Sequence, residues 1–514
     1  MRFPRRSGVA ATALAATLAL LLAACTGGSA PVDVPAPTPK PGSTVAPTPD
    51  LGRFYAQRPA WPDCKQGFQC ATISVPLDYA HPDAATISLS LIRLPARDQA
   101  HRIGALLINP GGPGGSGVQF ARGAANTFGR AVRDAYDIVG FDPRGVGSST
   151  PVRCIDDKQL DALIGYDGSP DSPVEEQGLL AISKAFADGC QARSAALLPH
   201  IGTVDAARDM DVIRAVMGDP KLTYYGASYG TFLGATYADE FPDKVGRFVL
   251  DGALDPSLSA AGLARGQLSG FDTALQAFLA DCVQRPSCPV GSTVAQGRQA
   301  VDALITKADS DPMRSSTGRL VTQSLVVLGV LYPLYDRQNG WSVLRTALSE
   351  ANKGNPDILL AIADQYSNRG ANGHYSSNET EANYAVNCLD RPDHSTLADF
   401  STLGTEFDAV SPVLGAYFAW GDVPCTVWPV HSGIVPHALH AVGAAPILVV
   451  GTTRDPATPY QWAVNLAEQL SSGRLLTRVG DGHTAYSRGS GCIDKAVDAY
   501  LVSGTLPADG TVCR

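Results

Sequence analysis

Charged residues are scarce in this chain, at 17% of 514 residues, and the sequence has no basic stripe. Acidic residues outnumber Lys and Arg, which gives a formal net charge of −9. Because nucleic-acid binding depends on basic contacts to phosphates, we expect no nucleic-acid partner. Apolar residues make up 45% of the chain, which is typical of a globular protein. The length exceeds one ordinary core and predicts two domains, or one core with a large insertion.

Several cofactor motifs are also missing. No two cysteines have the C-x-x-C spacing and no histidines cluster with them, so we expect no zinc site. The stretch "NPGGPGGSG" does not continue into G-K-[ST] and contains no G-x-G-x-x-G, so it does not predict a phosphate-binding loop. We therefore expect no metal ion and no organic cofactor.

The N-terminal segment "MRFPRRSGVAATALAATLALLLAACTGG" has the three parts of an export signal. Three arginines form a positive start, an apolar run follows, and Leu22-Ala23-Ala24 precedes Cys25. The run is too short for a transmembrane span. Its end resembles a bacterial lipobox, which implies cleavage after residues 1–24 and lipidation of Cys25. A plain signal peptide is the alternative. We expect a lipid-anchored protein on the extracytoplasmic face of the cell membrane.

Residues 25–50 are dense in Pro, Ala, Ser and Thr. Such a segment buries too little apolar surface to fold and favours extended backbone. We interpret it as a linker that separates a globular enzyme from the membrane.

Ten of the eleven cysteines remain once Cys25 is set aside. Disulfides persist in the oxidising environment of exported proteins, and these cysteines fall into near neighbours along the chain. We predict five local bridges: Cys64–Cys70, Cys154–Cys190, Cys282–Cys288, Cys388–Cys425 and Cys492–Cys513.

Apolar strands alternate with amphipathic helices over residues 51–257 and again over residues 436–514. This alternation predicts a mostly parallel sheet with helices on both faces. Residues 258–435 instead read mostly as helices and loops, which predicts a mainly helical cap inserted into one α/β domain.

The stretch Gly226-Ala227-Ser228-Tyr229-Gly230 fits G-x-S-x-G. The motif is weak alone, but here "LTYY" predicts a strand before it and "YGTFLGATYADEF" predicts a helix after it. A nucleophilic serine in this architecture occupies that strand-to-helix turn, where glycines leave room for the tight backbone. We predict that Ser228 is a nucleophile.

A serine hydroxyl needs a base, and the base needs an acid to orient it. His483 follows the terminal strand in "GDGHTAYS", on a glycine-flanked loop, and is the predicted base. Asp455 follows the preceding strand in "VVGTTRDPATP" and is the predicted acid, with Asp251 as the alternative at an earlier strand end. Thr458 is predicted to cap the helix that begins at Pro459 and to brace Asp455.

Acyl transfer also needs donors for the oxyanion. The backbone N–H of Tyr229, directly after the nucleophile, is the first candidate. Gly112, in the glycine-rich loop after an earlier strand, is the second.

The segments "INPGGPGGSG", "YDIVGFDPRGVGSS", "YYGASYGTFLGATYADEFP", "AVNCLD", "DPATPY" and "GDGHTAYSRGSGCIDKAVDAYLVSGTLP" together resemble the tripeptidyl-aminopeptidase-like α/β-hydrolases of actinobacteria. This group includes mycobacterial cell-envelope lipoproteins that are serine proteases or carboxylesterases. The resemblance runs from about residue 60 to the C-terminus and implies an α/β-hydrolase fold with a helical cap. The family's catalytic residues fall on Ser228, Asp455 and His483. Where related enzymes have H-G-G-P-G, this chain has Asn109-Pro110 before Gly111.

The resemblance implies an aminopeptidase that removes short peptides from free N-termini, and we favour a monomer. A carboxylesterase or lipase and a non-enzymatic binding lipoprotein are the alternatives. An aminopeptidase needs a carboxylate for the substrate α-ammonium. The predicted candidates lie in the cap stretch "SSNETEANYAVNCLDRPD" and its acids Glu379, Glu381, Asp390 and Asp393.

Overall fold

A nine-stranded sheet organises the described part of the chain. The computed structural model describes residues 45–412, 414–508 and 510–514, so the predicted signal peptide and Cys25 lie outside the described residues. The strands are β1 (Gln69–Pro76), β2 (Thr86–Leu94), β3 (Gly104–Asn109), β4 (Tyr136–Phe141), β5 (Leu222–Ala227), β6 (Val245–Asp251), β7 (Met313–Arg314), β8 (Leu320–Val321), β9 (Ile447–Arg454), β10 (Gly473–Asp481) and β11 (Val512–Cys513).

The order of strands in this sheet is β1-β2-β4-β3-β5-β6-β9-β10-β11, and β7 pairs with β8 in a separate hairpin. The pairs β1–β2 and β2–β4 are antiparallel, while every later pair in the main sheet is parallel. All residues of β3 and β4 are buried, as expected for strands covered on both faces. This is the predicted α/β-hydrolase fold, with the carboxyl ends of β5, β6, β9 and β10 at one edge.

Helices occupy the connections of the sheet. Those before β6 are α1 (Gly52–Tyr55), α2 (Gly117–Arg122), α3 (Ala124–Thr127), α4 (Arg130–Ala135), α5 (Asp157–Ile164), α6 (Pro173–Ser194), α7 (Thr203–Val216) and α8 (Tyr229–Glu240). Those between β6 and β9 are α9 (Ala260–Val283), α10 (Val294–Ser310), α11 (Gln323–Leu331), α12 (Gly340–Ala351), α13 (Asp357–Tyr366), α14 (Glu379–Asp390), α15 (Leu397–Asp408), α16 (Gly415–Ala419) and α17 (Val423–Thr426). The last two are α18 (Tyr460–Gln469) and α19 (Gly491–Ser503).

The helices between β6 and β9 have an apolar cluster of their own, which includes Leu275 and Phe278 of α9. Leu179 of α6 joins this cluster, although α6 lies much earlier in the chain. Helix α14 packs differently, because its Val386 and Leu389 belong to the cluster beneath the main sheet. The segment between β6 and β9, called the insertion below, is therefore joined to the rest of the fold through α6 and α14.

The structure contains the five predicted disulfides. Cys388–Cys425 ties α14 to α17, and Cys154–Cys190 ties α6 to the loop after β4. Each adds roughly 2–4 kcal/mol when the chain-entropy model applies. In the described part of the chain, no helix combines the length and the apolar character needed to cross a bilayer.

Candidate active site

Ser228 lies on a sharp turn between β5 and α8. Its backbone has φ 57° and ψ −127°. Residues other than glycine rarely adopt this conformation, and those that do are often found in active sites. A Cβ atom on Gly226 would lie 2.3 Å from the carbonyl oxygen of Gly230, so a larger residue cannot occupy position 226. The Ser228 N–H donates to the carbonyl of Asp251 at 2.9 Å and fixes the turn against β6.

His483 follows β10 and pairs with Asp455, which follows β9. Nδ1 of His483 lies 2.8 Å from Oδ1 and 3.1 Å from Oδ2 of Asp455. An Nδ1–H that donates to this carboxylate leaves Nε2 as the basic nitrogen. The carboxylate also accepts backbone N–H groups from Ala457 (3.0 Å), Thr458 (2.9 Å) and Thr484 (2.9 Å), so its orientation is fixed on both oxygens.

Asp251, the alternative acid, contacts the histidine loop rather than the imidazole. It is fully buried and accepts the backbone N–H groups of Ala485 (2.8 Å) and Tyr486 (2.9 Å). Tyr225 donates its hydroxyl to the same carboxylate at 2.9 Å. Burial raises the pKa of Asp251. The structure therefore brings Asp455 to the His483 ring and uses Asp251 to hold the backbone beyond it.

Thr458 does not cap a helix, contrary to the prediction. Helix α18 begins at Tyr460, and Pro459 precedes it without a side-chain cap. The hydroxyl of Thr458 lies 3.4 Å from Nδ1 of His483 instead. The predicted bracing of Asp455 comes from the Thr458 backbone N–H.

The glycine-rich loop after β3 lies against the nucleophile turn. A Cβ on Gly111 would lie 2.8 Å from Cβ of Ser228, so only glycine permits this approach. Asn109 accepts the Gly111 N–H through Oδ1 at 2.8 Å. The N–H groups of Gly112 and Tyr229 have no protein acceptor among the described residues, and both residues line the same cavity as Ser228. These two N–H groups are available to an oxyanion.

The cavity has a volume of about 640 Å³ and is lined by Ser228, His483 and many residues of the insertion. Its tyrosines are Tyr166, Tyr229, Tyr332, Tyr335, Tyr366, Tyr384 and Tyr417. Its charged side chains are Asp167, Glu379, Arg391 and Asp422. Over the described residues, no group of three or more His, Cys, Asp or Glu side chains is arranged to hold a metal ion.

Burial changes the pKa values of the acidic side chains that line the cavity. It raises the pKa of Asp167 and of Asp422 to about 6 and also raises the pKa of Glu379. Three carboxyl groups and one guanidinium give the cavity an excess of negative charge at neutral pH. A bound cation would therefore be stabilised there.

Of the predicted substrate-binding acids, only Glu379 lines the cavity. Glu381 is buried elsewhere and accepts the backbone N–H groups of Cys154 (2.6 Å) and Ile155 (3.3 Å). Asp390 is buried as well and accepts the N–H and the hydroxyl of Thr203. This corrects the prediction that Glu381 and Asp390 face the substrate, because both carboxylates are already engaged by protein donors. Asp393 also lies outside the cavity lining.

Sequence reasoning missed a residue that joins the insertion to the histidine. The carbonyl of Tyr335 accepts the N–H of His483 at 2.9 Å. The two rings also meet edge to face, with centroids 5.2 Å apart. Tyr335 lies in a short 3₁₀ turn after α11, and nothing in the local sequence links it to a residue almost 150 positions later. Part of the insertion therefore positions the proposed base.

Comparisons with known proteins identify the family to which the chain belongs. A family model described as TAP-like protein matches residues 411–513, the part that contains Asp455 and His483. Serine protease Hip1 of Mycobacterium tuberculosis is 38% identical over 100% of both chains. Carboxylesterase B of the same species is 37% identical and covers 93% of each chain. Tripeptidyl aminopeptidase of Streptomyces lividans is 32% identical over 88% of this chain and 86% of its own.

These similarities extend over most of the chain, and the relatives are named as a serine protease, a carboxylesterase and an aminopeptidase. The chain therefore belongs to the tripeptidyl-aminopeptidase-like family of α/β-hydrolases, and it is a serine hydrolase.

Proposed function

We propose that this serine hydrolase is an aminopeptidase that releases di- or tripeptides from free N-termini. In the proposed reaction, Oγ of Ser228 attacks the scissile carbonyl carbon while Nε2 of His483 takes its proton. Asp455 keeps the imidazole oriented and stabilises its charged form. The oxyanion accepts hydrogen bonds from the N–H groups of Gly112 and Tyr229, each of which typically contributes about 2.7–4 kcal/mol.

The second half of the reaction returns the enzyme to its starting state. His483 gives its proton to the leaving amine, which departs as the new N-terminus of the shortened peptide. Water, deprotonated by the same imidazole, then attacks the acyl-enzyme. The acyl group leaves as a short peptide with a free carboxylate, and the proton returns to Ser228.

The observation that carries the proposal is the position of Glu379 in the cavity. The N-terminal part of α14 packs on the glycine-rich loop after β3, since Nδ2 of Asn383 donates to the carbonyl of Pro113 at 3.0 Å. A Cβ on Gly114 would lie 2.6 Å from the Glu379 carbonyl. Asn368 donates to Oε2 of Glu379 at 2.8 Å, which leaves Oε1 for a ligand. A carboxylate in the same cavity as Ser228, on a helix that packs on the loop after β3, suits an α-ammonium a few residues from the scissile bond.

We expect the wild type to cleave a tripeptidyl amide with a free N-terminus faster than its N-acetylated form. Replacing Glu379 with glutamine should reduce the ratio of the two kcat/KM values by about 10- to 100-fold, because a charge-assisted hydrogen bond to the ammonium is lost. The measurement is steady-state kinetics on both fluorogenic amides. Asp167→Asn is the matched control, since it neutralises a cavity acid on another element and should change the ratio less.

The pH dependence gives a second readout of the same contact. Burial raises the pKa of Glu379 above its ordinary value of 4.5, so the carboxylate protonates at a higher pH than usual. KM for the free N-terminus should therefore rise as the pH falls through this raised pKa, and rise again above the amine pKa of about 8. Equal turnover of free and acetylated amides by the wild type contradicts the aminopeptidase proposal.

A carboxylesterase is the second candidate, and the apolar wall of the cavity favours it. The cavity lining includes apolar residues that suit an acyl chain, among them Leu163, Ile164, Leu179 and Leu328. Short-chain p-nitrophenyl esters separate the two candidates. A kcat/KM for butyrate esters far above that for free tripeptidyl amides supports the esterase.

We also propose that Cys25 anchors the enzyme in the cell membrane through a lipid. The lipobox-like sequence before Cys25 supports this proposal. Replacing Cys25 with serine should move most of the protein from the membrane fraction to the soluble fraction and abolish metabolic labelling by palmitate, because the acylated thiol is lost. Ser43→Ala in the linker is the control. Equal labelling of the Cys25→Ser variant and the wild type contradicts the anchor.

A further inference from the structure

Helix α14 presents a polar face to the cavity along its whole length. The residues of this segment that line the cavity are Glu379, Thr380, Asn383, Tyr384, Asn387 and Arg391. Their spacing of about four residues places them on one side of the helix. The face begins with a carboxylate and ends with a guanidinium, so its two ends carry opposite charges.

Arg391 is only 4% exposed. Nε donates to the carbonyl of Leu258 at 3.2 Å, and the guanidinium carbon lies 4.7 Å from the ring centroid of Phe232. Nη2 is buried without an acceptor, and among the described residues no carboxylate oxygen lies within 4.0 Å of either terminal nitrogen.

The acids near Arg391 do not neutralise it directly. Asp390 is engaged by Thr203, and Asp255 accepts from Gln469, Asn465 and Ser257. Asp422 lines the cavity, and burial raises its pKa to about 6. Burial also lowers the pKa of Arg391, because its charge is poorly solvated. A buried cation of this kind is costly unless an anion meets it.

We propose that Arg391 forms a subsite for a carboxylate of the substrate, at the end of the α14 face opposite Glu379. Nε donates to Leu258 and Nη2 is buried, so Nη1 is the nitrogen left to donate to a ligand, and guanidinium forms charge-assisted hydrogen bonds with carboxylates. The inference rests on the proposed function, since it takes the cavity as a peptide-binding site whose ammonium end is at Glu379.

The length of the helix sets the size of the peptide. Twelve residues separate Glu379 from Arg391, and a helix rises 1.5 Å per residue, which gives about 18 Å. An extended peptide rises about 3.3 Å per residue, so about five residues span this distance. A zwitterionic peptide of this length would place its ammonium at Glu379 and its C-terminal carboxylate at Arg391. An acidic side chain near the same position offers the same chemistry.

The test measures binding and does not require that the peptide is cleaved. Pentaalanine, pentaalanine amide and Ala-Ala-Ala-Ala-Asp amide compete with hydrolysis of p-nitrophenyl acetate, and each inhibition constant is determined. In the wild type, pentaalanine should inhibit about tenfold more strongly than its amide, as expected for a charge-assisted pair. The ratio should fall towards one in Arg391→Gln and be partly retained in Arg391→Lys. Arg285→Gln, an exposed arginine, is the control.

The outcomes separate the possible sources of the carboxylate. Strong inhibition by the Asp-containing amide supports the subsite and assigns it to an acidic side chain, whereas preference for pentaalanine alone assigns it to the C-terminus. Equal inhibition by pentaalanine, its amide and the Asp-containing amide in the wild type overturns the proposal, even when the Arg391 variants do not fold. Peptides that bind with the expected ratio but are not cleaved disprove the aminopeptidase function and leave the subsite standing.

Discussion

Replacing Ser228 with alanine should lower kcat by about 10⁶-fold and abolish labelling by a fluorophosphonate probe. Alanine has no hydroxyl to attack the acyl carbon, and the triad acts as a unit, so losing the nucleophile removes most of the catalysis. A small residual rate over water comes from binding and the oxyanion donors. The measurements are gel detection of the probe on purified protein and steady-state turnover of the best amide or ester.

An exposed serine gives the matched control for this prediction. Ser269 lies on the exposed face of α9 and outside the cavity lining, so Ser269→Ala should label and turn over like the wild type. Thermal unfolding of Ser228→Ala shows whether the fold is intact. Persistent probe labelling of this variant at the wild-type rate contradicts the assignment and points to another nucleophile.

The parts of the site that follow from local sequence could be predicted. A buried strand, a tight turn and a helix in succession specify where Ser228 sits, and glycines on both sides are required by backbone contacts that the motif anticipates. Asp455 and His483 follow because loops after neighbouring parallel strands meet at one edge of a sheet.

The cap acids could not be assigned by listing carboxylates in a stretch of sequence. Glu381 lies one turn before Ala385, and Asp390 one turn after Val386, so each belongs to the face of α14 that packs on the core. Glu379 and Arg391 belong to the opposite face, which lines the cavity. When "ETEANYAVNCLDR" is placed on a helix, its apolar residues identify the face that packs on the core, and Glu379 and Arg391 fall on the other face.

Other features depend on contacts between distant segments. Helix α6 carries a capping box of Ser172 and Glu175 with Pro173 at its first position, which predicts a helix start. Its packing of Leu179 into the cluster of the insertion has no local signal. The same is true of Tyr335, whose carbonyl holds the His483 backbone. Motion of the insertion would thus be coupled to the position of the base.

Replacing Asp455 with asparagine should lower kcat by about 10⁴-fold while the fold is retained. Both oxygens of Asp455 accept hydrogen bonds, from the imidazole and from three backbone N–H groups. An asparagine side chain has one oxygen acceptor and one NH₂ donor. Where the NH₂ group faces a backbone N–H, two donors meet. Where it faces the imidazole, the imidazole must adopt the tautomer in which Nδ1 is the acceptor. Nε2 then carries the proton and no longer accepts one from Ser228. Pre-steady-state acylation by an activated ester measures this loss directly.

Asp251→Asn is the contrasting variant, because Asp251 contacts the backbone after His483 and not the ring. Three donors surround its carboxylate, so an amide leaves one of them unmatched and should cost about 1–3 kcal/mol of stability. Its thermal unfolding midpoint should fall by about as much as that of Asp455→Asn, since both carboxylates accept backbone N–H groups, while its kcat should fall far less. The reverse pattern, with acylation preserved in Asp455→Asn and lost in Asp251→Asn, would make Asp251 the catalytic acid, because only the orienting carboxylate controls the tautomer of the base.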